Sequence, residues 1–245
     1  MSDPTPLLAT EGLCKAYRGR KVVDEVAVRV HPAEFVGLLG PNGAGKTTTF
    51  RMCMGMVRPD RGTIRFGGHD ITALPIYRRA RLGLGYLAQE PSVFRRLTVA
   101  DNVLAVLEIQ GVPGEERRVR CATLLHELGL EHVHDSLGEV LSGGERRRLE
   151  IARVLAGNPS LILLDEPFSG VDPIAVEEIQ EILRGLKQRG IAILLTDHNV
   201  RETLHITDRA YILVQGRILA EGTPERLVEN EQVRRVYLGK RFELA

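Results

Sequence analysis

The sequence contains no tryptophan, and aromatic residues make up only 4% of its 245 positions. Its three cysteines, Cys14, Cys53 and Cys121, fit no metal-ligand spacing, and their odd number argues against a disulfide framework. We interpret them as buried or incidental cytosolic thiols. No apolar run approaches the ~18 residues that a membrane-spanning helix needs. We therefore expect that action at a membrane would require docking onto an embedded partner.

Neither sign of charge is in excess, because 33 Lys and Arg residues face 32 Asp and Glu residues, for a formal net charge of +1. A nucleic-acid surface would show as clustered basic residues, so we expect no nucleic-acid partner. The stretch Met1–Glu11 lacks the basic–apolar–small order of a secretory signal, and we expect none there. The length suits a single domain over residues 1–245 that carries an inserted subdomain.

A phosphate-binding loop is the most informative feature that is present. Residues 40–48 follow the Walker A pattern and read Gly40, Pro41, Asn42, Gly43, Ala44, Gly45, Lys46, Thr47 and Thr48. Glycines let successive backbone N–H groups converge on an anion, and the N-terminus of the helix predicted over 47–57 favours the same anion. Lys46 supplies charge at the β- and γ-phosphates, and the Thr47 hydroxyl can ligate Mg²⁺. We predict that the chain binds a nucleoside triphosphate.

Three further apolar runs predict buried strands, and each ends in polar side chains. The runs and the side chains after them are 83–88 with Gln89, 161–164 with Asp165 and Glu166, and 191–196 with Asp197 and His198. Ligands bind at the carboxyl edge of parallel sheets, so we expect Gln89, Asp165, Glu166 and His198 to face the phosphates. Two adjacent carboxylates after an apolar strand need compensation. Mg²⁺ held by Asp165 and its waters would provide it, and Glu166 would then orient or deprotonate a water.

We predict that residues 98–158 form an α-helical subdomain. It contains a second helix N-terminus that is suited to bind phosphate. Ser142 and Glu145 form a capping box, while Gly143 and Gly144 weaken the first helical turn but permit close approach of a ligand to the backbone. Within the same subdomain, the pair at 132 and 134 (His-Val-His) has no third ligand nearby. We interpret these two histidines as polar surface residues rather than a metal site.

The two ends of the chain predict antiparallel strands. Residues 7–30 form a ribbon that turns at residues 17–20, and residues 208–222 form a strand pair that turns at 215–216. Tyr17 lies at the tip of the first ribbon. Local sequence leaves open whether it is a half-exposed packing residue or a platform for adenine.

The order of these features resembles the ATP-binding subunits of ABC transporters over nearly the whole chain, with Leu141–Glu145 in the place of the ABC signature. The resemblance implies an α/β P-loop NTPase core with a mainly parallel sheet, an N-terminal antiparallel β subdomain and the inserted helical subdomain. It also implies an ATPase. The implied roles are adenine stacking by Tyr17, sensing of the γ-phosphate and Mg²⁺ by Gln89, metal binding through water by Asp165, hydrolytic base by Glu166, and γ-phosphate contact by His198.

One chain offers two helix N-termini that suit phosphate, one after Gly45 and one at Ser142. The Walker A loop already surrounds the phosphates of its own nucleotide. The economical use of both is a head-to-tail homodimer, in which the signature of one copy closes over ATP held by the other. Hydrolysis would remove the γ-phosphate contacts that favour the closed state.

Four segments, 89–97, 141–148, 196–203 and 236–239, look like those of ATPases that power lipopolysaccharide export. That resemblance implies a peripheral position on the cytoplasmic face of the inner membrane and two integral membrane subunits that dock near Gln89–Arg96. Phe94 would be an apolar anchor and Arg95 a charged contact, although Phe94 could instead pack within the helical subdomain. The transported molecule rests wholly on the resemblance.

Three alternatives stay open from the sequence. The first is an importer ATPase, for example of the branched-chain amino acid type. The second is a soluble ABC ATPase of translation or DNA repair, which would usually carry two cassettes, coiled-coil arms or basic extensions. The third is a non-ABC P-loop enzyme that transfers phosphate to a small acceptor, which leaves Leu141–Glu145 unexplained.

Overall fold

The computed structural model describes residues 5–239 and Phe242, and these form two sheets surrounded by helices. The strands are β1 (Leu8–Tyr17), β2 (Arg20–Val26), β3 (Arg29–Val30), β4 (Phe35–Leu39), β5 (Arg61–Phe66), β6 (His69–Asp70), β7 (Leu84–Leu87), β8 (Leu161–Asp165), β9 (Ala192–Thr196), β10 (Arg209–Val214) and β11 (Arg217–Gly222). The helices are α1 (Lys46–Met54), α2 (Ile76–Arg81), α3 (Val99–Ile109), α4 (Gly114–Glu127), α5 (Gly143–Ala156), α6 (Pro173–Gln188), α7 (Val200–Ile206), α8 (Pro224–Glu229) and α9 (Glu231–Val233). A 3₁₀ turn spans Glu131–Val133, and a π-helical turn spans Arg234–Leu238.

The larger sheet has six strands in the order β11-β10-β4-β9-β8-β7. All neighbours are parallel except the edge strand β11, which is antiparallel to β10. Successive residues of β8 and β9 point to opposite faces, and both faces are covered, so the two strands are apolar almost throughout. The predicted mainly parallel α/β core is confirmed.

The smaller sheet has five strands, with β2, β1, β5 and β6 in order and β3 also paired with β1. The predicted ribbon is correct for β1 and β2, which turn at Arg18 and Gly19, but the prediction did not include the pairing of β5 with β1. Asp24 in β2 connects this sheet to the larger one. Its N–H donates to the Gly216 carbonyl at 2.8 Å, and its carboxylate accepts from Arg217 at 2.6 Å.

Helices α3, α4 and α5 pack on one another and on one face of the large sheet. The Thr98 side chain accepts from the Asp101 N–H, as the predicted helix start requires, and α5 has both bonds of its predicted capping box. The boundary at 98–158 stays a prediction, because these helices share a continuous core with the strands beneath them.

Helix α2 was not predicted, because Ile76–Arg81 is too short and too rich in arginine to show apolar periodicity. Its Arg79 is nonetheless buried, and the guanidinium donates to the carbonyls of Thr72 and Leu74 and to those of Met52 and Cys53 near the end of α1. Helix α1 ends at Met54, earlier than the predicted residue 57, because Gly55 follows in the left-handed conformation, with φ of 80°.

Among the described residues, no helix is both long enough and apolar enough to cross a bilayer.

Candidate nucleotide site

Four neighbouring parallel strands deliver the predicted site residues to one edge of the large sheet. In spatial order, β4 leads into the loop at 40–48, β9 leads to Asp197 and His198, β8 leads to Asp165 and Glu166, and β7 leads toward Gln89. Because parallel strands end at the same edge, groups more than a hundred residues apart in sequence meet there. The structure thus brings these strand ends together at one edge, and their role in a common site stays a prediction.

The loop needs glycine at its first and sixth positions. A Cβ on Gly40 would lie 2.0 Å from the Leu213 carbonyl oxygen, and one on Gly45 would lie 2.5 Å from the Val22 oxygen. Both residues also have positive φ, 153° and 109°. The loop therefore packs closely against β2 and β10. At Gly40 and Gly45 there is no room for any side chain, so only glycine fits.

Lys46 is 7% exposed and points back across the loop, where its Nζ donates to the carbonyls of Gly40 at 2.7 Å and Pro41 at 3.2 Å. Burial lowers the pKa of Lys46, while Glu166 and Asp165 act in the opposite direction. A buried ammonium paired mainly with carbonyls gains from an arriving anion. The position fits the predicted role at the β- and γ-phosphates.

Two adjoining cavities flank the loop. One, of about 400 Å³, is lined by residues 42–48, Val22, Gln89, Glu166 and His198. The other, of about 890 Å³, lies on the opposite side of residues 42–44 and is lined by Tyr17, Val214, Gln215 and Val236 among others. Tyr17 is 46% exposed. The first cavity suits the phosphate groups of a nucleotide, and the second suits its flat base. Because the two cavities adjoin, together they can hold one nucleotide.

Glu166 lines the first cavity and contacts two of its other lining residues. Its Oε2 accepts from Gln89 Nε2 at 2.6 Å, and its Oε1 lies 2.6 Å from His198 Nε2. The backbone of Glu166 is left-handed, with φ of 51°, and its N–H donates to the Thr196 carbonyl at 2.7 Å. A non-glycine residue with positive φ is costly and typical of functional positions. Three predicted site residues, from three strands, thus meet at one carboxylate.

Asp165 is almost fully buried, and among the described residues its side-chain hydrogen-bond partner is the Tyr86 hydroxyl, which donates at 3.4 Å. Burial, and then the neighbouring Glu166, raises the pKa of Asp165; burial also raises the pKa of Tyr86 to about 12. Among the described residues no cluster of three or more His, Cys, Asp or Glu side chains could hold a metal alone. An under-partnered buried carboxylate beside a phosphate cavity does fit Mg²⁺, which typically takes few protein ligands and completes its shell with phosphate and water.

Asp197 is a site-organising residue for which sequence reasoning gave no role. It is 3% exposed, and its two carboxylate oxygens accept from the Phe168 N–H at 3.0 Å and from the Asn199 N–H at 2.8 Å. It therefore ties the loop after Glu166 to the loop that carries His198. Its position next to His198 was visible in the sequence, but its partner near residue 168 was not.

The signature segment lies apart from the nucleotide cavities of its own chain, since residues 142–145 line neither of them. Ser142 Oγ donates to Glu145 Oε2 at 2.6 Å, and the Ser142 N–H donates to the same oxygen at 2.9 Å. These two bonds are the main reason that the pKa of Glu145 is lowered. Apart from its chain neighbours and its own helix backbone, no described atom lies within 4 Å of a Cβ placed on Gly143, and on Gly144 such a Cβ would meet Ala175 at 3.4 Å. The helix start is accessible to a ligand from outside the chain.

Phe94 is 46% exposed, and the Arg153 guanidinium lies 4.4 Å from its ring centre. Arg153 in turn lines a cavity of about 340 Å³ between α2, β7, α3 and α5. The neighbouring Arg95 is exposed and lines a smaller cavity with Glu139. Phe94 is thus not buried in the helical subdomain. Its ring packs against Arg153, which lines the groove, so Phe94 lies at the edge of that groove.

The fold and this site define a P-loop nucleotide-binding protein with an ABC-type arrangement of elements. Residues 23–169 match the sequence model of the ABC transporter family, and the chain belongs to that family. A further match, to a branched-chain amino acid ATP-binding cassette transporter model, covers residues 217–243.

The chain is similar to curated relatives over nearly its full length. It is 59% identical to the lipopolysaccharide export system ATP-binding protein LptB of Acidithiobacillus ferridurans and 56% identical to that of Haemophilus influenzae, in each case over 97% of this chain and 99% of the relative.

Solved structures give the same result. The ADP conformation of an ATP-binding cassette of an ABC transporter has a TM-score of 0.85 and 28% identity, over 96% of this chain and all of that one. A dimeric post-hydrolysis state of another cassette, bound to ADP and Pi, has a TM-score of 0.79 and 25% identity, over 89% of this chain and 98% of that one.

Proposed function

We propose that this chain is the ATP-hydrolysing subunit of a lipopolysaccharide export transporter and that it works as a head-to-tail dimer. The observation that carries the ATPase part is the meeting of Gln89, Glu166 and His198 over the Walker A cavity. The transported molecule is proposed on the 55–59% identity to lipopolysaccharide export ATP-binding proteins over nearly full length.

The loop at 40–48 binds the phosphates of ATP, and Tyr17 stacks on the adenine from the adjoining cavity. Lys46 contacts the β- and γ-phosphates with its charged amine. Glu166 is the general base: it accepts a proton from the attacking water, which His198 and Gln89 help to place. His198 also contacts the γ-phosphate, so its bond to Glu166 links the presence of that phosphate to the base.

Magnesium binds through the Thr47 hydroxyl, Gln89 and Asp165, the last by way of water. When bound, the ion neutralises phosphate charge and polarises the γ-phosphoryl group. The raised pKa of Asp165 supports this assignment, because its carboxylate is poorly compensated by protein groups. A cation would lower that pKa and complete the site.

The second copy supplies Ser142, Gly143, Gly144 and Glu145 to the nucleotide. Two observations support this: the signature lines neither nucleotide cavity of its own chain, and its helix start is accessible. Two-fold symmetry then encloses two ATP molecules between two copies. Loss of the γ-phosphate removes contacts made only in the closed state and lets the copies part.

Two integral membrane subunits dock beside residues 89–96, in the groove that Phe94 borders, and hold the ATPase at the cytoplasmic face of the inner membrane. The apolar wall of this groove includes Met54, Ile76 and Val154. A helical segment with apolar side chains from a membrane subunit fits such a surface.

An importer of branched-chain amino acids is the second candidate, and the match at residues 217–243 favours it. That match covers a short C-terminal segment, whereas the similarity to lipopolysaccharide export proteins covers 97% of the chain. Identification of the membrane proteins that copurify with the tagged chain in mild detergent decides between the two.

The test of the dimer is Glu166→Gln, which removes the base but keeps an amide that can hydrogen-bond to Gln89 and His198. We expect ATP turnover to fall at least 100-fold, the usual contribution of a general base. Because the γ-phosphate then persists, sedimentation with ATP should show a dimer, and sedimentation with ADP a monomer. A variant that stays monomeric with ATP would contradict the dimer, and one that keeps its turnover would contradict the role of Glu166.

A further inference from the structure

The histidine pair at 132 and 134 does not act as a pair. His134 Nδ1 lies 3.0 Å from the Glu131 carbonyl oxygen, and its Nε2 lies 2.9 Å from Asp135, so it bonds within its own turn. His132 faces the other way, and its Nε2 lies 3.1 Å from Glu145 Oε1, in the signature segment. The 3₁₀ turn thus presents one histidine to the start of α5.

We infer that His132 is a positioning residue of the signature, which holds Glu145 so that Ser142 and the α5 N-terminus can receive the phosphate of the partner's ATP. The inference rests on the proposed head-to-tail dimer. An ionised carboxylate only accepts hydrogen bonds, so Nε2 of His132 must carry the proton in this contact.

The turn that carries His132 is fixed independently of the signature. Leu130, just before it, is fully buried, and its N–H donates to the Leu125 carbonyl at 2.8 Å. Just after it, the carbonyls of His134 and Ser136 accept from the first turn of α3, at 3.0 and 2.9 Å. The imidazole is therefore brought to Glu145 by a rigid support rather than by a flexible loop.

Glu145 presents a conflict that His132 relieves. Its Oε2 takes the Ser142 hydroxyl proton at 2.6 Å, so this hydroxyl can donate to a phosphate only by leaving the carboxylate. A carboxylate at a helix start that receives a triphosphate also repels it. By donating to Oε1, His132 withdraws charge from the carboxylate and keeps it turned toward the 3₁₀ turn, which makes release of the hydroxyl easier.

The experiment measures ATP-dependent dimerisation in the Glu166→Gln background by sedimentation. His132→Ala should raise the dimer dissociation constant about fivefold for each of the two ATP sites, which is the value of one well-placed and partly exposed contact to a carboxylate, and about 25-fold for both sites together. ADP affinity of the monomer should stay unchanged, because residues 142–145 do not line its cavity. His132→Gln, which keeps an N–H donor, should restore most of the dimer.

Two controls separate positioning from general damage. His134→Ala removes a histidine from the same turn without touching Glu145 and should leave the dimer intact. In a Glu145→Ala background the acceptor of the His132 hydrogen bond is gone, so His132→Ala should have no further effect. Dimerisation unchanged in His132→Ala, or weakened equally in the Glu145→Ala background, overturns the inference alone. A parent that stays monomeric with ATP overturns the head-to-tail dimer, and the inference with it.

Discussion

At the scale of single residues, the site depends on carboxylates that differ in what compensates them. Asp165 is buried and, in the part of the chain that the structure describes, accepts only the long hydrogen bond from Tyr86, while Glu166 lies between an amide and an imidazole. Asp197 is also buried, but each of its oxygens accepts a backbone N–H. The first two are arranged for a ligand, and the third holds the loops that carry them.

Asp197→Asn should separate these roles. An amide offers one acceptor oxygen, so one backbone N–H, the buried one of Phe168 or the partly buried one of Asn199, loses its partner. We expect the free energy of unfolding to fall by about 1–3 kcal/mol. Turnover should fall about tenfold, because the loop that carries His198 is no longer fixed to the loop after Glu166. Denaturant unfolding and steady-state kinetics measure the two effects.

The matched control is Asp172→Asn. Asp172 caps α6 by accepting the Ala175 N–H at 3.0 Å, a bond that asparagine makes equally well. Its stability should match that of the parent. Equal losses in both variants would mean that any Asp-to-Asn change in this region is harmful, and the anchoring role of Asp197 would be wrong.

At the scale of elements, the loop that carries Phe94 lies beside the groove between α2, β7, α3 and α5. Hydrogen bonds to its backbone fix this loop, and the side chain of Phe94 is not needed for that. Buried Asn102 in α3 bonds both backbone groups of Phe94: its Oδ1 accepts the N–H at 2.9 Å, and its Nδ2 donates to the carbonyl at 3.0 Å. The loop conformation therefore does not depend on the aromatic ring, which is left available for contact.

Phe94→Ala should accordingly leave the ATPase activity of the isolated chain unchanged while weakening assembly with the membrane subunits. Loss of an aromatic anchor at an interface typically costs about 2 kcal/mol, or about 30-fold in affinity. Copurification in mild detergent measures assembly. Ile109→Ala is the control, since Ile109 is an apolar side chain of α3 that is 79% exposed and lies outside the proposed docking segment 89–96. Equal assembly in the Phe94 and Ile109 variants would refute the docking surface.

The elements that the sequence predicted well are those whose determinants are local. The capping box of Ser142 and Glu145 and the apolar strand β8 each lie within a few residues. Contacts made across the fold could not be read in this way: His132 reaches Glu145 through the packing of a separate turn, and Asp197 reaches Phe168 across two strands. Helix α2 was missed because its buried residue is an arginine, which apolar periodicity does not detect.

At the scale of the whole molecule, the two sheets are connected by Asp24 and Arg217. The pKa of Asp24 is lowered by its bonds to Arg217 and Lys21. A carboxyl group with a lowered pKa in the folded state stabilises the protein above its unfolded pKa of about 3.9, and this contribution is lost as the pH falls through the folded value. The connection between the sheets therefore weakens in acid.

Asp24→Asn should lower the melting temperature at pH 7 by about 2 °C, the modest effect expected of an accessible ion pair. The difference from the parent should shrink below pH 4, where the parent's own carboxyl group becomes protonated. Glu25→Gln removes a charge from the adjacent exposed residue and should change little at either pH. A difference that stays constant from pH 7 to pH 3 would show that charge at Asp24 is not the cause.

The link at Arg79 has the opposite character. Within the described residues its guanidinium forms no ion pair with a carboxylate, and four main-chain oxygens from α1 and from the segment before α2 surround it instead. Neither the guanidinium nor a backbone carbonyl oxygen gains or loses a proton at physiological pH. Arg79 thus connects α1, which follows the phosphate loop, to α2, which borders the docking groove, through hydrogen bonds that acidification does not break. Movement of one helix is therefore transmitted to the other at any pH at which the fold persists.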